Sequence, residues 1–136
     1  MRFNGFNVLA IVVAAVAIYA IEFLIFAVLI PGPSYQAMIG MSDAQASANM
    51  AGGRMPFGVV MPILAATGLA LVVKWRQAVG LAGGFITGAL MGVLFAFAAT
   101  MYSYVYGAAN ETFLGVSLVH YIVCYGVAGA ILSAWK

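Results

Sequence analysis

The chain is read as an all-α integral membrane protein, a four-helix bundle with short loops and one short interfacial helix in the first loop. Three observations lead there. Of its 136 residues, 66% are hydrophobic and only 6% charged, with a mean hydropathy of +1.14, so it has too little polar surface for a water-soluble domain. Four apolar runs are each long enough to cross a bilayer at roughly 20 residues per crossing. In the third run Gly80, Gly84, Gly88, Gly92, Ala96 and Thr100 recur at every fourth position, laying small residues along one winding ridge of a helix. Lipid tails are as apolar as the side chains between helices, so close backbone packing must supply much of the attraction, and this ridge is expected to be the hub of the bundle.

The whole of 1–136 is expected to be one transmembrane domain, with spans at about 6–30, 55–73, 77–104 and 112–134. The first run, Phe6 to Ile30, follows Arg2 and Asn4, has Asn7 at its start, and is closed by Pro31, Gly32 and Pro33. Ala15-Val16-Ala17 has the small-x-small form of a signal-peptide cleavage site, but the apolar run continues well past it, so a span is expected instead. In the connection from 31 to 54, Ser42 with Gln45 three positions on has the form of a capping box, predicting a short helix from Asp43 to Ala51, stopped by Gly52 and Gly53. In the second span Gly58, Pro62, Ala66 and Ala70 also recur every four residues, offering a face for the third span's ridge, and Pro62 is expected to kink the helix. The tight Lys74 to Arg76 turn makes the second and third spans antiparallel neighbours. The fourth carries Gly126, Ala130 and Ala134 at the same spacing.

Arg2, Lys74, Arg76 and Lys136 fall on one side of a four-span topology, and Arg54 falls on the other with Asp43 and Glu111. That asymmetry places both termini in the cytoplasm. Trp75 and Trp135 then mark the inner interface, and Tyr102, Tyr104 and Tyr106 the outer one.

Two groups capable of buried chemistry lie inside the spans, Glu22 and His120. Glu22 is eight residues before Ile30 and His120 eight after Thr112, so at the helical rise both sit roughly 12 Å below the same surface. A lone carboxylate at that depth costs about 2.5 kcal/mol or more, so it must be protonated, hydrated or paired. The expectation is an intramembrane Glu22–His120 pair between the first and last spans, with Tyr19, Tyr121 and Tyr125 as alternative partners. The bland alternatives are a protonated packing residue for Glu22 and a structural role for His120.

Cofactors are expected to be absent. A single histidine falls short of the ligand sets of transition metals or a bis-histidine haem, leaving only axial ligation of a pigment, or of a haem shared with a partner chain, through His120. Cys124 alone excludes an internal disulfide and a zinc site built from cysteines, and reads as a small packing residue. No span contains a lysine for a retinal Schiff base or an arginine ladder for voltage sensing, and the phosphate-loop, H-E-x-x-H and G-x-S-x-G motifs are missing. A net charge of +2, with scattered basic residues, excludes a nucleic-acid surface.

Asn7-Val8-Leu9-Ala10, Ile39-Gly40-Met41-Ser42, the glycine-rich third span and Gly129-Ala130-Ile131-Leu132-Ser133-Ala134-Trp135-Lys136 together resemble a family of small bacterial inner-membrane proteins known only as a domain of unknown function. The resemblance implies the four-helix membrane fold and brings no activity, substrate or site. The chain departs from it at Ile25-Phe26, where the family tends to carry Trp-Tyr, and at Glu22. The leading functional expectation is a non-enzymatic accessory subunit packed against other membrane chains or against itself. The alternative is a small homo-oligomeric transporter or channel with Glu22 and His120 in a polar path. A dry core expects the first, and a cavity reaching Glu22 the second.

Overall fold

The computed structural model describes residues 2–3, 5–54 and 56–135, with Arg2 and Phe3 described for their backbone alone. Met55, the expected start of the second span, and Lys136 lie outside the described residues. A two-residue hairpin, β1 (Arg2–Phe3) with β2 (Phe6–Asn7), precedes six helices: α1 (Val8–Leu29), α2 (Gly32–Ile39), α3 (Asp43–Ala51), α4 (Phe57–Trp75), α5 (Gly80–Val105) and α6 (Glu111–Ala134). Four of them, α1, α4, α5 and α6, are long and apolar enough to cross a membrane.

Local chemistry sets the helix ends. Asn7 caps α1 by accepting from Ala10 N–H, and Asn110 caps α6 by accepting from Phe113 N–H. Helix α3 begins on the reciprocal capping box of Ser42 and Gln45 and has the expected bounds. Helix α2 is an addition to the expected elements. It starts just after Pro31, carries Pro33 in its first turn, and stops on Gly40 in the left-handed conformation (φ 65°). A side chain at Gly40 would also collide with Ala108, and Asn110 N–H donates to Met38 O at 2.9 Å, so α2 is tied to the start of α6.

Packing corrects the expected hub. Helix α6 is the one that touches α1, α4 and α5 along its length, and its small or polar buried residues Ser117, Cys124, Gly126, Ala128, Gly129 and Ser133 allow approach from several sides. The ridge of α5 lies against α6 and not against α4. Cβ atoms at Gly84, Gly88 and Gly92 would run into the carbonyls of Gly129, Tyr125 and Tyr121 respectively. The pairing steps by four along both helices in opposite directions, so the two backbones are in contact over about two helical turns. The Phe85 ring fills the space left by Gly126.

The ridge is shorter than its sequence spacing suggests. Gly80 starts the helix at φ 70°, and a Cβ placed there would meet nothing beyond its own turn within 4 Å, so it serves the turn and not the contact. Ala96 and Thr100, at the other end, face a hollow described below. Helix α4 instead buries Pro62, Ala66, Leu69, Ala70 and Val73 toward α1 and α6, while Gly58 and Gly68 face open space. Helices α4 and α5 are joined by a turn through Gln77 (φ 53°) and share few contacts beyond it. The Ser133 hydroxyl lies 3.0 Å from Ala78 O and 2.9 Å from Gly80 O, pinning that turn to the end of α6.

The helix junction gives a direct test. Gly88→Ala should destabilise the protein by about 1–3 kcal/mol through overpacking, read by thermal or denaturant unfolding in detergent, whereas Gly68→Ala should be neutral or slightly stabilising. Equal effects at the two positions would mean the contact face is placed wrongly.

Candidate functional site

Glu22 and His120 meet. Helix α1 rises from its Asn7 cap and α6 descends from its Asn110 cap, so two residues at equal depth on touching helices come face to face. The His120 Nε2 lies 3.6 Å from Glu22 Oε1, close enough for charge pairing and just too long for a direct hydrogen bond. The histidine side chain is 5% exposed and the glutamate 28%. Among the described residues, His120 Nε2 is buried without a hydrogen-bond partner.

An aromatic shell closes the outer side of the histidine. Phe26 meets it edge to face at 5.0 Å, Tyr35 of α2 meets Phe26 at 5.4 Å, and Phe113 follows at 6.4 Å from Tyr35. Burial pushes the Tyr35 phenol above its ordinary pKa, with Tyr121 adding to the shift.

On its other side Glu22 lines a partly open cavity of about 390 Å³ bounded by all four long helices. Thr100, Ser103, Tyr121 and Tyr125 supply further polar groups to its wall. The Tyr121 hydroxyl and Thr100 Oγ1 are 2.8 Å apart, and Thr100 Oγ1 also donates toward Ala96 O at 3.0 Å. The rings of His120, Tyr121 and Tyr125 follow one another at 4.8 and 5.8 Å. Of the three tyrosines expected as alternative partners, Tyr121 and Tyr125 thus border the cavity. Tyr19 does not: it is 47% exposed and lines a separate apolar groove between α1 and α4, since three residues fall short of a full turn and leave it about 60° around α1 from Glu22.

The helices around the cavity are irregular at its level. Residues Leu24–Leu29 of α1 and Gly92–Phe97 of α5 form wide π-helical turns, and α4 carries Pro62 there, whose missing N–H leaves the Gly58 carbonyl without its helical donor. The proline is visible in the sequence and the π turns are not, their only trace being the runs of bulky side chains at 24–29 and 93–97. Toward the chain termini the buried core is apolar, built from Ala10, Ala14, Ala66, Leu69, Ala128 and Leu132. Cys124, fully buried, directs its thiol toward Ile18 O at 3.9 Å. Among the described residues no group of three or more His, Cys, Asp and Glu could hold a metal ion.

The fold and the site define a small protein with four long, membrane-compatible helices and one acid–imidazole pair beside a partly open cavity. The chain belongs to the family described as "Protein of unknown function (DUF1761)", whose model matches residues 9–133. No curated protein and no solved structure matches it.

Cavity access is testable with thiol chemistry. Ala96→Cys, on the cavity wall, should react in the membrane with a small water-soluble thiosulfonate, while Leu94→Cys, on the outward face, and the native Cys124 should not. Protection of Ala96→Cys equal to that of Leu94→Cys would mean that water does not reach this hollow.

Proposed function

We propose that the protein is a four-span membrane protein of the bacterial inner membrane, with both termini cytoplasmic, that moves protons through the Glu22–His120 pair. The observation that carries this reading is the cavity at Glu22, since an accessory subunit built only for packing calls for a dry core along its whole length. The hairpin, the α4–α5 turn and the end of α6 share one end of the bundle: Asn7 Nδ2 donates to Trp135 O at 3.0 Å and Lys74 stands over the Phe6 ring. That end holds most of the basic residues, and the rule that positive loops stay inside supports the assigned orientation.

In this reading a proton arrives from the cavity at the Glu22 carboxylate, forming the neutral acid. When the pair closes from 3.6 Å to hydrogen-bond distance, the acid passes the proton to neutral His120 Nε2, regenerating the carboxylate beside an imidazolium. Release to the other side requires the alanine-lined half to open. The π turns and Pro62 lie where helix segments can shift without breaking a continuous ladder of α-helical bonds. No pigment or haem enters the proposal, because Nε2 faces the carboxylate and the ring is enclosed. The protein acts without catalysing a covalent reaction, as a self-associated oligomer in the lipid bilayer.

The test is proton flux in vesicles made with the purified protein and a trapped pH dye, under an imposed potential. Wild type should dissipate the gradient, and Glu22→Gln, nearly isosteric, should fall to the rate of empty vesicles while eluting as a folded particle. Wild-type flux no greater than that of empty vesicles would overturn the transport reading, and co-purification of an unrelated membrane chain would then favour the subunit.

A further inference from the structure

Two further hollows, neither lined by Glu22, meet at Ile11. The first, of about 350 Å³, opens at the end of the bundle that carries the termini. Its rim bears Lys74, Asn7, Gln77 and Trp135, and its floor is Ala70, Val73 and Leu132. The Lys74 ammonium is held 4.1 Å above the Phe6 ring centroid, at the wall of this hollow. The second, of about 380 Å³, is a groove between α1 and α4 lined by aliphatic side chains and the Tyr19 ring, among them Val12, Ala15, Val16, Val59 and Ile63. From Val12 to Tyr19 it follows α1 for about 10 Å toward the middle of the bundle.

A cationic, amide-bearing mouth that continues into a hydrocarbon groove has the form of an amphiphile site. We infer that it binds an anionic phospholipid of the cytoplasmic leaflet, with the headgroup phosphate at Lys74 and one acyl chain along α1 and α4. Charge favours that ligand. Lys74 and Arg76 are at this end, Arg2 and Lys136 are its sequence neighbours, and the three acidic residues of the chain, Glu22, Asp43 and Glu111, are elsewhere. Trp135 beside the mouth supplies the amphipathic ring suited to headgroup depth. The groove selects a lipid over a free anion, which has nothing to place there. Neither Glu22 nor His120 lines either hollow, so the proton path and the lipid site use different polar groups, although the groove backs onto the Glu22 cavity at Pro62 and the inference rests on the same placement in a bilayer.

The experiment is native mass spectrometry of the full chain released from nonionic detergent with equimolar phosphatidylglycerol and phosphatidylcholine of identical acyl chains. Wild type should retain the anionic lipid about fivefold over the zwitterionic one, the worth of one well-placed lysine. Lys74→Gln should bring the ratio close to one, Lys74→Arg should keep it, and Val16→Trp, which fills the groove, should lower retention of both lipids. Inorganic phosphate added in excess should leave the bound lipid in place. Equal retention of the two lipids by wild type, an unchanged preference in Lys74→Gln, or displacement by inorganic phosphate would each overturn the assignment. Glu22→Gln should retain lipid as wild type does, so loss of proton flux and loss of this site are separable.

Discussion

The structure depends on the backbone contact between α5 and α6. In a lipid solvent, burying a leucine against another helix gains little over leaving it among acyl chains, so helices adhere where their main chains come within van der Waals reach. Gly84, Gly88 and Gly92 permit that approach to Gly129, Tyr125 and Tyr121, and the shared four-residue step sustains it over about two turns. This contact fixes the depth of α6, and with it the height at which His120 faces α1.

The cavity follows from the same constraint. With one face of α6 taken by α5 and others by α1 and α4, the second and third long helices are held apart beyond their connecting turn. The space between them is walled by Met61, Pro62, Ala96 and Ala99 as well as by the polar groups, and Glu22 reaches it. A carboxylate that lines a hollow keeps access to solvation, whereas His120 beside it is sealed by Phe26 and Tyr121. Two partners of unequal exposure 3.6 Å apart form a step from the cavity to the enclosed ring, the step on which the proposed proton path rests.

Much of this is legible in the residues, for identifiable reasons. The capping box at Ser42 and Gln45 is local chemistry and sets the bounds of α3. Glu22 and His120 can be matched because depth along a helix is a count of residues from a common boundary, and each counts eight. Helix α2 has its start in Pro31-Gly32-Pro33 and its stop in Gly40, but its eight residues lack a side-chain cap and blend into the connection around them. The partner of the ridge is not legible. Small residues recur every four positions in α4 and α6 alike, and only the three-dimensional fit shows that Gly58 and Gly68 look outward while Gly126 and Gly129 receive α5. The π turns and the cavity depend on how helices diverge, a property that no single stretch of sequence records.

The central claim is the contact of α5 with α6, and solid-state NMR of glycine-labelled protein in lipid bilayers measures it directly. Through-space cross-peaks should connect the α carbons of Gly84 and Gly88 with that of Gly129. A spectrum in which Gly129 correlates only with glycines of its own helix would contradict the account.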